Sequence, residues 1–441
     1  MVKSIADLKK SELEGKRVLV RVDFNVPQDG SLAITDDTRI VAALPTINYL
    51  IQNGAKTILT THLGRPKAQA EEKYRLDPIG KRLSELLGKP VAKLNEAIGP
   101  TVTEHIKQMK NGDVVLLENI RFYPGEETND QAFAKELASL ADLYVNDAFG
   151  TAHRAHASTA GVASYLSPSV AGFLIQKELE MLGSKLNEPE RPFTAIIGGS
   201  KVSSKISVLK NLVQKVDTLI IGGGMAFTFI KAQGGSVGQS ICEDNQLATA
   251  REIINLADQF DTAIIIPEDT LCTPAFDAQN NPINIFDKYK TNDKIETKVA
   301  DSMKIENNYQ GMDIGPKTRE KFAKLVSQSR TVVWNGPVGV FEYDVFENGT
   351  KEVAQALAEL TAKGGTTIIG GGDSVAALEK FNIPQEKYTH VSTGGGASLE
   401  FLEGKTLPGI ACLDGFNKDK DLAHSNPSAK KSFAEELAKL R

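Results

Sequence analysis

Short apolar runs rich in β-branched residues alternate along this chain with amphipathic stretches. The runs Arg17–Val22, Thr57–Thr61, Val114–Leu117, Leu143–Val145, Phe193–Ile197, Thr218–Ile221, Ala263–Ile266, Thr331–Trp334, Thr366–Ile369 and His390–Ser392 predict strands. Most are followed by a turn and then by apolar positions at helical spacing. Strand–helix alternation of this kind predicts an α/β fold with parallel sheets covered by helices on both faces. The alternation runs twice, over roughly residues 1–170 and roughly 190–405. Between the two sets, Phe173, Leu174, Leu179, Leu182 and Leu186 recur at helical spacing within Gly172–Asn187, and Pro189 and Pro192 follow. This predicts an interdomain helix and linker over 172–192. A helix inside a single domain is the other reading of the same pattern. The expected division is 1–171, 172–192, 193–405 and a C-terminal segment 406–441. Residues 274–301 read as an irregular excursion with a hairpin-like centre at Gln279–Pro282. In the polar tail, Phe433, Leu437 and Leu440 sit at the spacing of a short amphipathic helix.

Composition narrows the function classes. Of the 441 residues, 41% are hydrophobic and 24% charged, which is ordinary core-forming usage, and the length suits two or three domains. The formal net charge of −5 gives no overall attraction to nucleic acid or to an anionic membrane, so an anion site must come from local basic clusters. Cys242, Cys272 and Cys412 lack zinc or redox spacing, and their number is odd, so no disulfide framework is expected and a reducing compartment is. No run approaches the ~20 apolar residues of a membrane span. Charges interrupt the first twenty residues before any apolar run develops, so no secretory signal is read there.

Sheets of this class bind ligands in the loops beyond the carboxyl ends of their strands. In the first half those loops carry Arg21, Asp23 and Asn25, then His62 and Arg65, then Arg121, then His153 and Arg154, with Arg39 opening the helix after the first loop. The planar fork of arginine matches phosphate and carboxylate oxygens two at a time. Any one of these arginines alone reads as a surface ion pair. The ring as a whole reads as a site for a small, multiply anionic ligand. Asp23 and Asn25 are either turn residues or groups that hold substrate hydroxyls and orient an arginine.

In the second half the strand ends carry glycine clusters: Gly198-Gly199-Ser200-Lys201, Gly222-Gly223-Gly224, Asn335-Gly336-Pro337-Val338-Gly339, Gly370-Gly371-Gly372-Asp373-Ser374 and Gly394-Gly395-Gly396. Glycine lets a backbone approach phosphate, and a helix amino terminus offers it free N–H groups. Two well-known fingerprints fail. Gly404-Lys405-Thr406 lacks the first glycine of a P-loop, whose place is taken by Leu399, and Leu399 also breaks the dinucleotide pattern after Gly394 and Gly396. Lys201 and Lys205, four apart, are expected on one face of a helix opening. Asp373 is either a helix cap or a carboxylate directed at Mg²⁺, and Glu342 is placed to hold ribose hydroxyls.

Taken together, RVDFNVP from Arg21, HLGRP from His62, ENIRF from Glu118, VNDAFGTAHRAHAS from Val145, GGSKVSSKI from Gly198, GGGMAFTF from Gly222, WNGPVGVFE from Trp334, GGGDS from Gly370 and STGGGASLEFLEGKTLPG from Ser392 closely resemble the phosphoglycerate kinase family. They stand in family order and cover nearly all of residues 1–410. The resemblance implies two Rossmann-like lobes joined by a hinge helix. It implies 3-phosphoglycerate bound in the first lobe by Asp23, Phe24, Asn25, Arg39, His62, Leu63, Gly64, Arg65, Arg121 and Arg154. It implies a Mg²⁺–ADP or Mg²⁺–ATP complex bound in the second by Lys201, Lys205, Gly311, Glu342, Gly371, Gly372, Asp373 and Ser374, with Asp373 reaching the metal indirectly. Arg39 and Lys201 resemble the pair that meets the phosphoryl group in transit. The tail after Asp414 departs from the family's usual short ending. The implied activity is reversible phosphoryl transfer between 1,3-bisphosphoglycerate and ADP by a cytoplasmic monomer, with no nucleic-acid or membrane partner. A carboxylate acceptor is already ionised at neutral pH, so no catalytic base is required. Closing of the lobes is the expected means of excluding water. The residues leave a second reading open: a non-catalytic nucleotide-binding scaffold whose tail recruits a partner.

Overall fold

The apolar runs become two parallel sheets. The computed structural model describes residues 2–290 and 293–417, which divide into one unit of residues 2–184 with 405–417 and another of residues 185–404.

In the first unit six strands lie in the order Ala92–Lys93, Val114–Leu116, Lys56–Thr60, Arg17–Val22, Leu143–Asp147, Ser169–Ala171, all parallel. The central strand pairs Arg17 with Lys56 on one side and Val18 with Leu143 on the other. Val18, Leu19, Val20 and Val22 are all fully buried, which is why this strand carries no polar–apolar alternation. The helix Thr38–Gln52 lays Ile40, Ala43, Ile47 and Leu50 against the sheet at helical spacing. Residues 405–417 return to this unit. Asn146 Nδ2 donates to the Gly409 carbonyl at 2.8 Å, and the Gly409 N–H donates to the Ala152 carbonyl at 2.8 Å.

The second unit holds a parallel sheet in the order Ala263–Ile265, Thr218–Ile221, Phe193–Ile197, Thr331–Asn335, Thr366–Gly370, His390–Val391. Fully buried Trp334 packs in a cluster with Phe322, Val353 and Leu357 from the covering helices Pro316–Gln328 and Asn348–Ala362. Beside it Asp269–Pro274, Lys298–Asp301 and Tyr309–Ile314 form a three-stranded antiparallel sheet. This corrects the reading of 274–301 as irregular, since its end is a strand. Lys298–Asp301 exposes three of its four residues, so it has no apolar run to betray it. The hairpin-like turn does form: Phe276 bridges Pro282, and Asn280 takes a left-handed conformation, φ 62°.

The helix expected over 172–187 forms as Phe173–Glu178, a π-helical segment Leu179–Ser184 and a last turn Lys185–Asn187. Among the described residues no helix is long and apolar enough to cross a membrane. The amphipathic helix expected around Phe433, Leu437 and Leu440 lies outside the described residues.

Candidate active site

In the first unit the carboxyl ends of Lys56–Thr60, Arg17–Val22 and Val114–Leu116 point the same way, so their loops form one rim. Hydrogen bonds tie that rim together. Phe24 N–H donates to Thr61 Oγ1 at 2.9 Å, Gly64 N–H to Asn25 Oδ1 at 2.8 Å, and Leu63 N–H to Asn119 Oδ1 at 3.3 Å. Arg121 donates to the Gly64 carbonyl at 2.8 Å. Arg39, in the first turn of its helix, donates to Asp23 Oδ2 at 2.8 Å. Asn25 and Asp23 therefore orient this rim, whatever they also do to a ligand.

His62 is 4% exposed. Its pKa is held well below the usual range, first by burial and then by the charges of Arg21, Arg121, Arg154 and Arg39. The four guanidiniums thus converge electrostatically on one imidazole. Arg65 stays exposed at the end of its loop, and Arg154 is half-buried, donating to His153 Nε2 at 3.2 Å. Phe24 and Leu63 are buried, so their backbones, not their side chains, face the rim. Arg21 departs from the expected ring. It is fully buried and turned inward, where its Nε donates to Ser158 Oγ at 2.9 Å. Strand alternation explains this: Arg21 still belongs to the sheet, paired with Thr60, rather than to the loop.

The second unit contains a cavity of about 330 Å³ lined by Gly199, Gly223, Gly224 and Gly339, from three of the five glycine clusters, and by Phe227, Gly311, Val338, Glu342 and Asp373. Backbone crossings shape it. Gly198 N–H donates to the Asn335 carbonyl at 2.9 Å and Gly223 N–H to the Val338 carbonyl at 3.0 Å. A Cβ at Gly198 would press into the Pro337 carbonyl oxygen, so only glycine permits this approach. Three of the five glycine clusters open helices, at Met225, Gly372 and Gly396. Asp373 lies in the first turn of Gly372–Lys380, after Gly371 at φ 90°. Ser374 is fully buried, and its Oγ accepts from Gly336 N–H at 2.8 Å, so it braces the neighbouring loop. Glu342 is exposed at the cavity, and Lys380 Nζ fixes its loop by donating to its carbonyl at 3.2 Å.

The lysine pair is corrected. The helix begins at Ile206, so Lys205 is its flanking residue and Lys201 lies before the turn that leads into it, not one helical turn along a shared face. Ser203 holds this turn off the helix through two bonds to Glu243, at 3.0 and 2.6 Å. Lys201 is exposed. Lys205 donates to Asn335 Oδ1, and burial lowers its pKa to about 8 while Asp373 and Glu403 pull the other way. Sequence reasoning missed Phe227, whose ring fills the space a Cβ on Gly311 would need, and Asp313, also in the cavity wall. Phe227 lies within GGGMAFTF, but nothing in that run singles out its ring, and none of the family motifs includes Asp313. Among the described residues no group of three or more His, Cys, Asp or Glu side chains could hold a metal ion.

The phosphoglycerate kinase family profile matches residues 7–405. The phosphoglycerate kinase of Thermosynechococcus vestitus is 55% identical over 412 residues, 93% of this chain and 99% of the relative. The chloroplastic phosphoglycerate kinase of Volvox carteri is 54% identical over 413 residues, 93% of this chain and 86% of the relative. The solved phosphoglycerate kinase of Coxiella burnetii superposes with a TM-score of 0.81 at 41% identity, covering 94% of this chain and 99% of the other. The same cluster of loops and the same two sheets therefore sit in a chain that belongs to the phosphoglycerate kinase family.

Proposed function

We propose that this chain moves a phosphoryl group between 1,3-bisphosphoglycerate and ADP, with the acid substrate on the rim around His62 and the nucleotide in the glycine-lined cavity. What supports the reading most is the rim at the strand ends of one sheet, where Arg39 is held by Asp23, Arg121 is held by the Gly64 carbonyl, and both, with Arg154, disfavour charge on His62. Such a rim suits a ligand carrying both a carboxyl and a phosphoryl group. The assigned roles are those the sequence resemblance implies. Asp23, Asn25, Arg39, His62, Arg65, Arg121 and Arg154 hold the acid, with Phe24, Leu63 and Gly64 contributing backbone. Lys201, Lys205, Gly311, Glu342, Gly371, Gly372, Asp373 and Ser374 form or brace the nucleotide site.

Magnesium fits this donor set. Mg²⁺ commonly takes one or two carboxylates and completes its shell with phosphate oxygens and water. A single carboxylate, Asp373 in the cavity wall, is what such a site requires of the protein. When bound, the ion neutralises charge on the phosphate oxygens. The acid's carboxylate is the nucleophile in the ATP-consuming direction and needs no base. Arg39 and Lys201 are assigned to the equatorial oxygens of the group in transit, where fixed charge lowers the barrier. The reading extends to a cytoplasmic monomer; the chloroplastic Volvox relative makes plastid import the outcome that would change the compartment.

A coupled assay for ATP from ADP and 1,3-bisphosphoglycerate tests the activity. Turnover that requires both substrates supports it. Nucleotide binding without turnover, in a folded preparation, would favour the scaffold reading instead.

Two further results are expected. Asp373→Ala should weaken Mg²⁺–ADP binding about ten- to a hundredfold, the usual loss of a charged hydrogen-bonding group, with 3-phosphoglycerate affinity retained. Equal weakening of both ligands by calorimetry would overturn the division of sites. Transfer also needs reacting atoms within ~3–3.5 Å of each other. With ligands assigned to different units, the reading includes closure about residues 172–192. Small-angle scattering should give the smallest radius of gyration with both ligands present. A radius unchanged across apo, single-ligand and ternary samples would remove closure from the mechanism.

A further inference from the structure

Behind His62 runs a buried polar chain to which the reaction assigns no role. Arg21 is fully buried. Its Nε donates to Ser158 Oγ at 2.9 Å, one terminal nitrogen donates to the Val22 carbonyl, and the other lies 3.1 Å from His62 Nδ1. Ser158 Oγ donates in turn to Glu126 Oε1 at 2.6 Å, and Ser158 N–H to Oε2 at 2.9 Å. Glu126 is fully buried.

The direction of this chain settles the imidazole. Arginine has donors and no acceptor, so the His62 nitrogen facing it must offer a lone pair. Nδ1 therefore carries no proton, and in the neutral ring the proton sits on Nε2. Asp23 Oδ1, the acceptor that would favour the opposite tautomer, stands 4.0 Å from Nδ1, beyond hydrogen-bond reach. An imidazolium would turn a second N–H against the Arg21 donor.

We propose that Glu126, Ser158 and Arg21 are positioning residues that lock His62 as the neutral tautomer protonated on Nε2, a fixed N–H donor for the acid substrate. This rests on the reading that His62 faces that substrate. Each link has a physical reason. A buried guanidinium is costly without a counter-charge, and the Glu126 carboxylate supplies one through Ser158. Burial raises the Glu126 pKa, and Arg21 and the Ser158 bonds oppose the rise. The groups acting on His62 are Arg21, Arg121, Arg154 and Arg39, all disfavouring its protonation, with Asp23 the nearby carboxylate. His62 then neither gains charge nor loses its donor between pH 6 and 8. The pH response of acid binding is left to the substrate's own phosphate, whose second ionisation lies near pH ~6.

The test is ¹⁵N-histidine NMR on the full chain, with His62 assigned by its loss in His62→Gln. The expected result is a protonated Nε2 and an unprotonated Nδ1, unchanged from pH 6 to 8. The double variant Arg21→Met with Glu126→Gln removes both buried charges together. In it Nδ1 loses the donor that holds its lone pair, so His62 should sample both tautomers, while burial, Arg121, Arg154 and Arg39 still disfavour its protonation. Tautomer randomisation alone would only about double KM, so the spectrum is the deciding readout. A wild-type proton on Nδ1, wild-type titration near pH 6.5, or an unchanged His62 spectrum in the double variant would each overturn the proposal. Should the double variant not fold, Ser158→Ala is read the same way, with mixed tautomers expected and an unchanged spectrum counting against. Addition of 3-phosphoglycerate separates the two readings. An Nε2 signal indifferent to saturating substrate removes His62 from the acid site, while the tautomer result stands by itself.

Discussion

Replacing Arg39 with alanine should lower kcat by about 10²–10³ while changing KM far less, because a fixed cation aimed at developing phosphoryl charge acts mainly in the transition state. The structure makes this a clean experiment. The Arg39 side chain is 36% exposed, and among the described residues it pairs with Asp23, which is 11% exposed. The arginine end of the pair is open to solvent, so the variant should fold, and a thermal melt run beside the assay separates any loss of stability from loss of rate. Arg39→Lys should recover part of the rate, since the charge returns without the planar two-pronged donor. Measurement of kcat and KM for both substrates in both variants decides the point. Near-normal kcat with a raised KM would reassign Arg39 to binding substrate and transition state alike.

Much of this site was legible because its residues sit in loops next to strands with unmistakable apolar runs. Arg39, His62, Arg121 and Arg154 fall where such a sheet presents ligand groups, and the three guanidiniums all disfavour charge on His62. Arg21 was misplaced for an instructive reason. It is the last polar residue before Asp23, and only the register with Thr60 shows that its side chain still belongs to the sheet interior. Ser158 and Glu126 carried no signal, since the bond from Arg21 to Ser158 spans 137 residues of sequence. The same limit applies to the fold. Ala92–Lys93 and Ser169–Ala171 are edge strands of two and three residues, too short for periodicity, and they exist because a longer neighbour pairs with them. The lysine pair failed differently. Spacing of four means one face only inside a helix, and here the helix starts at Ile206, after a turn in which Ser203 bonds to Glu243.

The second unit, without ligand, should be least stable near pH 7–8 and gain stability on either side. Asp313 is buried in the cavity wall. Burial raises its pKa from 3.8 to about 7, against the Gly349 and Ile314 N–H groups and Arg319, which favour the charge. Gly349 N–H donates to its Oδ2 at 2.7 Å. Lys205 and Lys215 are lowered from 10.5 to about 8, in both cases chiefly by burial. The signs follow from linkage. An acid whose folded pKa is raised holds its proton more tightly when folded, so stability is highest below pH 3.8 and drains away as pH climbs to 7. A base whose folded pKa is depressed makes folding unfavourable wherever it must be charged, and that penalty lifts only as pH rises from 8 toward 10.5. Between the two windows all three groups are ionised in a poorly solvated interior. At ~1.4 kcal/mol per pKa unit, each contributes a penalty on the order of 3–5 kcal/mol there. Trp334, the chain's single tryptophan, lies in this unit and reports its unfolding alone. Urea melts followed by its fluorescence from pH 5 to 9 should show the minimum. Asp313→Asn should erase the fall between pH 5 and 7 and leave the rise above pH 8. On the proposed assignment of Lys205 to the nucleotide site, saturating nucleotide should make the minimum shallower, because phosphate near its ammonium favours the charged form. A variant that kept the parent's slope between pH 5 and 7 would show that Asp313 ionises at its ordinary pKa and that the fall has another source.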